Sequence, residues 1–468
     1  MFPVFTISFH HSKEVFVCCH IVSLRCVFWV GLSIRGGGND SPRPASQRAA
    51  ALVLTAAMLT TLTAPAFAET WDIEKGDITV KAGKTEGTNM VSQGEQKDVE
   101  DTGTVITGKS DKNTVTIEAE NKDDKVEVTL KDLNIDASRG SEAAVSVTGK
   151  GDTNIELNGD NELKSGAGHA GLEHNKTDTS GKLTIQDKDK NGSLDATGGF
   201  RGAGIGGGEA QNGQVTITGG TITATAGSSS GRFIYGGGSG IGGGDGGTGV
   251  GGNGDVEITG GTITATGFYG AGIGGGRSAD GDVTISGGTI KKAESLSPTD
   301  PGGAGIGGGY YGDGRVTITG DAVIEEAQGG IQSAGIGGGQ GADGDVEISG
   351  NARIDKVTGG DYGAGIGSGL GESGAPCNGK VTIKDNAKIG LAQGGFGAAG
   401  IGGGYYYSNG YDDDDSTSGV GDVTIEGNTT VNAVGGLGAA GIGNGVNAID
   451  FGGAAVNQIL SLIHISEP

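Results

Sequence analysis

Asp187, Asp189, Asn191 and Asp195 occupy positions 1, 3, 5 and 9 of a short run whose sixth residue is Gly192. Oxygen-bearing side chains at this spacing around a tight glycine turn are what a hard cation such as Ca2+ requires. Position 12, where a calcium loop carries Glu, is Gly198, and no helical pattern flanks the run. The same letters also read as a solvated turn between Ile185 and Leu194. Asp412 to Asp415 form a second acidic run, open to two readings: a weak calcium site or a charged tip.

Aromatic residues form the other chemically suggestive set: Phe268 and Tyr269, Tyr310 and Tyr311, Tyr362, Phe396, then Tyr405, Tyr406, Tyr407 and Tyr411. Sugar rings stack on flat apolar faces, and the tyrosine hydroxyl adds a hydrogen bond. Tyr310, Tyr311, Tyr405, Tyr406, Tyr407 and Tyr411 are the expected binding residues. An aromatic ladder that merely covers a turn is the alternative.

Catalytic constellations are not evident. His169 and His174 have no nucleophile paired with them in sequence, and no zinc spacing occurs. Arg277, Arg315 and Arg353 fall in different repeats and read as surface charges. Paired Thr-Ile-Thr phrases such as Thr216 to Thr218 raise ice binding. However, equivalent positions become Glu257, Glu347, Lys384 and Glu426, and β propensity alone accounts for the threonines.

These groups are placed by a repeat. Nearly the same glycine-rich block recurs around Ile205, Ile241, Ile273, Ile306, Ile336, Ile366, Ile401 and Ile442. Its clearest copies read Gly-Ala-Gly-Ile-Gly-Gly-Gly, and the spacings are 36, 32, 33, 30, 30, 35 and 41 residues. A period of this size indicates stacked units rather than one globular core. After each block comes a Val-x-Ile phrase, as at Val215 and Val283, then a glycine pair or similar turn and an x-Ile-x-Ala phrase. Alternation of apolar and polar residues is the signature of a half-buried strand.

The expected fold is all-β: a right-handed parallel β-helix (a β-solenoid) with about 30 to 33 residues and three short strands per coil. Val215, Ile217, Ile222 and Ala224 would point inward, while Thr216, Thr218, Thr221 and Thr223 would face water. With about 4.8 Å between stacked strands, eight coils make a rod of roughly 40 Å. A β-propeller would need longer strands and longer repeats. Insertions at 245–253, 370–378 and 405–419 all follow the glycine block, the side where a solenoid often binds; another lies near residues 295–301.

Residues 43–68 have a basic start, an apolar run and an Ala66-Phe67-Ala68 ending, as a secretory signal does. Residues 1–42, of different composition and carrying Cys18, Cys19 and Cys26, are expected to be non-native upstream translation. Residues 459–468 break the repeat grammar and resemble a translated sequencing adapter, so they are expected to be an artefactual tail. Between these ends lie coils at 69–197 and the glycine-rich array at 198–458. Cys377 is the one cysteine of the stretch 69–458, which rules out a disulfide framework there. A net charge of −24 with pI near 4.5 argues against nucleic acid and anionic membranes as partners. No membrane insertion is expected of the mature chain.

Residues 101–197 carry longer strand phrases: Lys125 to Ile135, Ala143 to Val147, Thr153 to Leu163, Lys182 to Ile185 and Gly192 to Ala196. In these phrases the chain resembles the clostridial carbohydrate-binding β-helix family. The likeness covers about a hundred residues well and the glycine array only in style. It implies a right-handed parallel β-helix, secretion, binding of plant-type polysaccharide including polygalacturonate, and bound calcium. No binding residue transfers position by position.

The functional expectation is a secreted or cell-surface β-helix that binds polysaccharide, acidic glycans with calcium assistance included, without catalysis. The alternatives are an adhesin or stalk projecting a further domain, and a polysaccharide lyase or glycoside hydrolase.

Overall fold

The computed structural model describes residues 68–228, 236–247, 249–297, 301–372, 377–407, 419–446 and 460–464, together with four strands before residue 30. The chain divides into two units, residues 1–65 and 66–468. In the first, Thr6–Phe9 pairs antiparallel with Lys13–Phe16, and Cys18–Val22 with Arg25–Trp29.

Its rod is a right-handed parallel β-helix, with three walls whose strands pair parallel from coil to coil. The first wall is a single column of aliphatic residues. It runs Ile78, Val115, Val145, Leu172, Ile205, Ile241, Ile273, Ile306, Ile336, Ile366, Ile401 and Ile442, each in register with the next. All eight repeat isoleucines therefore stack, as their period predicts. The strand around each is shorter than the sequence suggests: in the array it comprises the Ile-Gly pair alone.

Backbone crowding explains both that brevity and the glycines. A methyl group on Gly204 would lie 2.6 Å from the carbonyl oxygen of Gly240 one coil on. Gly206 has φ +126°, a conformation L side chains rarely adopt, and a β-carbon there would run into the carbonyl of Gly242. The chain turns out of the sheet at this residue, so only a two-residue strand can form.

The second wall stacks Val128, Ile155, Ile185, Ile217, Ile258, Ile285, Ile318, Ile348, Ile383 and Ile425. The third stacks Ile135, Leu163, Ala196, Ala224, Ala265, Ala293, Ala327, Val357, Ala392 and Ala433. Val215, Ile217, Ile222 and Ala224 are buried, and the threonines between them are exposed or half-buried. Alternation thus sets the inside and outside of both walls.

At the N-terminal end an antiparallel meander, Ile78–Ala82, Asn89–Gln93 and Gln96–Asp101, is joined to the first coils. Trp71 is buried beside it and donates its indole N–H to Asp101 at 2.8 Å. An antiparallel arrangement there terminates the parallel ladder, which blunts an otherwise unpaired edge. At the other end, Leu460–His464 pairs antiparallel with Thr430–Val434.

The corner before the second wall carries a ladder of side-chain hydrogen bonds. Asn212 accepts the backbone N–H of Asn253, Asn253 that of Asp280, Asp280 that of Asp313, Asp313 that of Asp343, and Asp343 that of Asn378, at 2.6–3.0 Å. Burial raises the Asp313 carboxyl above its ordinary value against the pull of the Asp343 N–H, and the carboxylates of Asp280 and Asp343 add to the rise.

Candidate functional site: an aromatic stripe beside the glycine wall

Two turns flank each glycine block, and stacking turns them into two parallel columns. One column contains the residue four before each repeat isoleucine; there Arg201, Tyr269, Gln332 and Tyr362 hold positive φ of 70°, 58°, 68° and 71°. The other contains the residue four after: Glu209, Asp245, Arg277, Tyr310, Gln340, Leu370 and Tyr405. Backbone bonds join the columns, with Tyr310 N–H donating to Tyr269 O at 3.0 Å, Leu370 to Gln332 at 2.9 Å and Tyr405 to Tyr362 at 2.9 Å. Side chains from successive coils are thereby gathered on one edge of a wall that otherwise offers only glycine. Non-glycine residues in the left-handed region are a strain that tends to mark functional surfaces.

The stripe has two parts. Toward its N-terminal end the charges are engaged. Arg201 pairs with Glu209. Asp245 is fully buried and accepts the N–H of Gly237 at 3.0 Å and of Gly247 at 2.7 Å. Burial lifts its carboxyl above the usual range, against the pull of those amides and of Arg277 and Arg201. Arg277 donates to the Gly247 carbonyl at 2.9 Å while its guanidinium lies 5.6 Å and 5.7 Å from the ring centres of Tyr269 and Tyr310. Tyr310 packs against Tyr311 with 4.0 Å between centroids, and burial raises the Tyr310 phenol well above its ordinary value.

Toward the C-terminal end lies an open cleft of about 400 Å³ lined by Gln332, Tyr362, Leu370, Glu372, Phe396, Tyr405 and Tyr407. Tyr362 meets Phe396 edge-on at 5.6 Å and Tyr405 at 5.2 Å. Phe396 and Tyr407 are 42% and 55% exposed. Glu372 accepts a hydrogen bond from the Gln340 amide at 2.8 Å, which fixes the carboxylate at the cleft. Flat apolar faces beside a few oriented polar groups form the surface a sugar ring fits.

Of the tyrosines expected from sequence, Tyr405 and Tyr407 line the cleft; Tyr310 and Tyr311 lie on the same stripe nearer its N-terminal end. Tyr406 is 2% exposed and presents no face to solvent. Tyr411 and Asp412 to Asp415 lie outside the described residues. Gln332 and Glu372 escaped sequence reasoning. The position four before Ile336 could have pointed to Gln332, once Tyr362 and Tyr269 are noticed at the same offset.

The Asp187 turn is built differently from a cation cage. Asp187 Oδ1 accepts the N–H of Asn191 and Oδ2 that of Gly192, both at 3.1 Å. Asp195 stands on the following strand in register with Glu162; burial and that neighbouring carboxylate raise its carboxyl. Among the described residues no three His, Cys, Asp or Glu side chains are gathered as a metal ion needs. Asp187, Asp189 and Asp195 are not drawn together as such a group in this arrangement.

His174 is 2% exposed, and its Nδ1–H donates to the Gln214 carbonyl at 2.9 Å. Desolvation holds its pKa below the ordinary 6.5. Cys377 is buried, its thiol pushed up to about 12 by burial and nearby carboxylates, and it donates to the Leu370 carbonyl; it is a packing residue rather than a nucleophile. No helix among the described residues is long and apolar enough to cross a membrane.

Comparison with known proteins agrees with the architecture. A family model described as a beta helix repeat matches residues 190–209, 256–277, 283–310, 316–340 and 423–446. No curated protein and no solved structure matches the chain. The matched stretches run through the glycine blocks and the walls beside them, so sequence and structure agree that this chain is a parallel β-helix repeat protein.

Proposed function

We propose that the protein is a secreted or cell-surface β-helix that binds polysaccharide along the aromatic stripe and does not cleave it. The observation that carries this reading is the cleft lined together by Tyr362, Phe396, Tyr405, Tyr407 and Glu372. Hydrolysis of a glycosidic bond by acid and base uses a pair of carboxylates, whereas among the described residues Glu372 is the single carboxylate lining this cleft. A stalk that projects another domain is the second reading, favoured by the unbroken aliphatic column from Ile78 to Ile442.

Retention of the purified full-length chain on insoluble cellulose, chitin and pectate tests the proposal. Each polymer is offered with calcium and then with chelator, and the supernatant is assayed for new reducing ends and unsaturated uronate. Retention without released product is expected. Failure to bind any polymer in either condition would leave the stalk reading, and released product would make the protein an enzyme.

A further inference from the structure

Resting on that reading, we infer that the ligand is an uncharged, extended glycan strand lying parallel to the rod axis, about one sugar per coil. The stripe itself supplies the direction. The column four after each isoleucine carries one side chain per coil from Glu209 to Tyr405, so positions recur along the axis at the strand spacing of about 4.8 Å. The cleft takes Tyr362 from one coil and Phe396, Tyr405 and Tyr407 from the next. A pyranose unit with its linking oxygen is close to that length, and a straight polymer therefore meets one equivalent position per unit. A glycan running across the stripe would leave it within one turn, onto glycine backbone that offers no ring.

The charge pattern supplies the class. Both arginines of the stripe are occupied: Arg201 by Glu209, and Arg277 by the Gly247 carbonyl and two tyrosine rings. Among the described residues the cleft presents aromatic rings, Gln332, Leu370 and the Glu372 carboxylate, on a chain of net charge −24. A carboxylate accepts hydrogen bonds from sugar hydroxyls, while a uronate at every unit would bring like charges together in a partly desolvated cleft. The surface thus favours neutral sugars and opposes polygalacturonate, unlike the acidic glycan that the N-terminal strand phrases imply.

The experiment is retention of the full-length chain on insoluble cellulose, insoluble xylan, chitin and pectate in chelator, repeated with Tyr405→Ala, Tyr407→Ala and Glu372→Gln. Retention on a neutral polymer that is indifferent to chelator and falls about tenfold in the tyrosine variants is expected. Glu372→Gln is expected to raise retention on pectate relative to the neutral polymer. Circular dichroism of each variant separates lost binding from lost fold. Retention on pectate alone would overturn the uncharged class and leave the binding reading standing. Neutral-polymer retention unchanged in folded tyrosine variants would overturn the placement. Retention on nothing would remove the binding reading as well.

Discussion

The first coils and the glycine array solve one packing problem with different materials. In the N-terminal coils, large side chains fill the interior: Ile135 and Leu163 occupy the third wall where the array has Ala224, Ala265, Ala293 and Ala327. Their strands are also long, as in Lys125–Asp136 and Asp152–Lys164. The array instead closes its coils with backbone against backbone. The residue after each first-wall aliphatic shows the change: Thr79, Thr116, Ser146 and Glu173 carry side chains, and from Gly206 to Gly443 that column carries none. Side-chain packing tolerates variety because rotamers adjust; a backbone contact leaves no adjustable part. This is why the array repeats almost letter for letter and the earlier coils do not.

The largest expected consequence is at that column. Gly274→Ala places a β-carbon at φ +131° against the Gly307 carbonyl and is expected to cost roughly 3 kcal/mol or more. Ser146→Ala in the same column is expected to change stability by less than about 0.5 kcal/mol. Urea unfolding followed by circular dichroism compares the two, and equal midpoints would show that the backbone contact at this column is no more demanding than a side-chain contact.

Next come the aliphatic columns. Ile306→Ala and Leu130→Ala each remove a fully buried side chain, at an expected cost of about 2–5 kcal/mol. The Leu130 variant should sit lower in that range: both sites have aliphatic neighbours, but Ile273 and Ile336 beside Ile306 stand between glycines packed backbone to backbone, whereas Ile106 and Leu157 do not. A larger loss at Leu130 than at Ile306 would reverse the argument.

His174 lies where the two regions meet, and its effect depends on pH. Its folded pKa is held below 6.5, so on acidification the unfolded chain takes the proton first. Stability is therefore full above pH 6.5 and declines as pH falls from 6.5 toward the folded value. His174→Gln is expected to flatten that decline in thermal melts from pH 7.5 to 5. An unchanged slope would remove His174 from the account.

The smallest effect belongs to the array's acidic ladder. Asp313 has a raised carboxyl pKa, so its charge opposes folding at neutral pH. Asp313→Asn keeps the acceptor for Asp343 N–H and is expected to stabilise by a few tenths of a kcal/mol at pH 7, given its partial exposure. The gain should vanish below the ordinary carboxylate pKa of 3.8, which paired melts at pH 7 and pH 3.5 would show.

Much of the fold could be read from the letters, because alternation and a fixed period each have one geometric meaning. Val215, Ile217, Ile222 and Ala224 point inward for that reason, and the eight isoleucines stack. The site was legible only in part. Tyr405 and Tyr407 stand out by composition, but Gln332 and Glu372 reach the cleft through a turn and an insertion. Periodicity within one strand does not reveal which two turn columns lie side by side across a wall. The Asp187 run shows the reverse limit: its spacing suits a cation and a turn alike, and what the structure displays is the carboxylate closing its own turn.

The Asn and Asp ladder has a consequence for alignment. Strand alternation forbids a slip by one residue but is degenerate to a slip by two, since Val would merely face Ile and the core would stay apolar. Each ladder oxygen, from Asn212 to Asp343, accepts from the backbone of a single equivalent position in the next coil. A two-residue slip would leave every such acceptor facing the wrong peptide. The ladder therefore works as an index mark, telling one coil from a near-identical misplacement of itself.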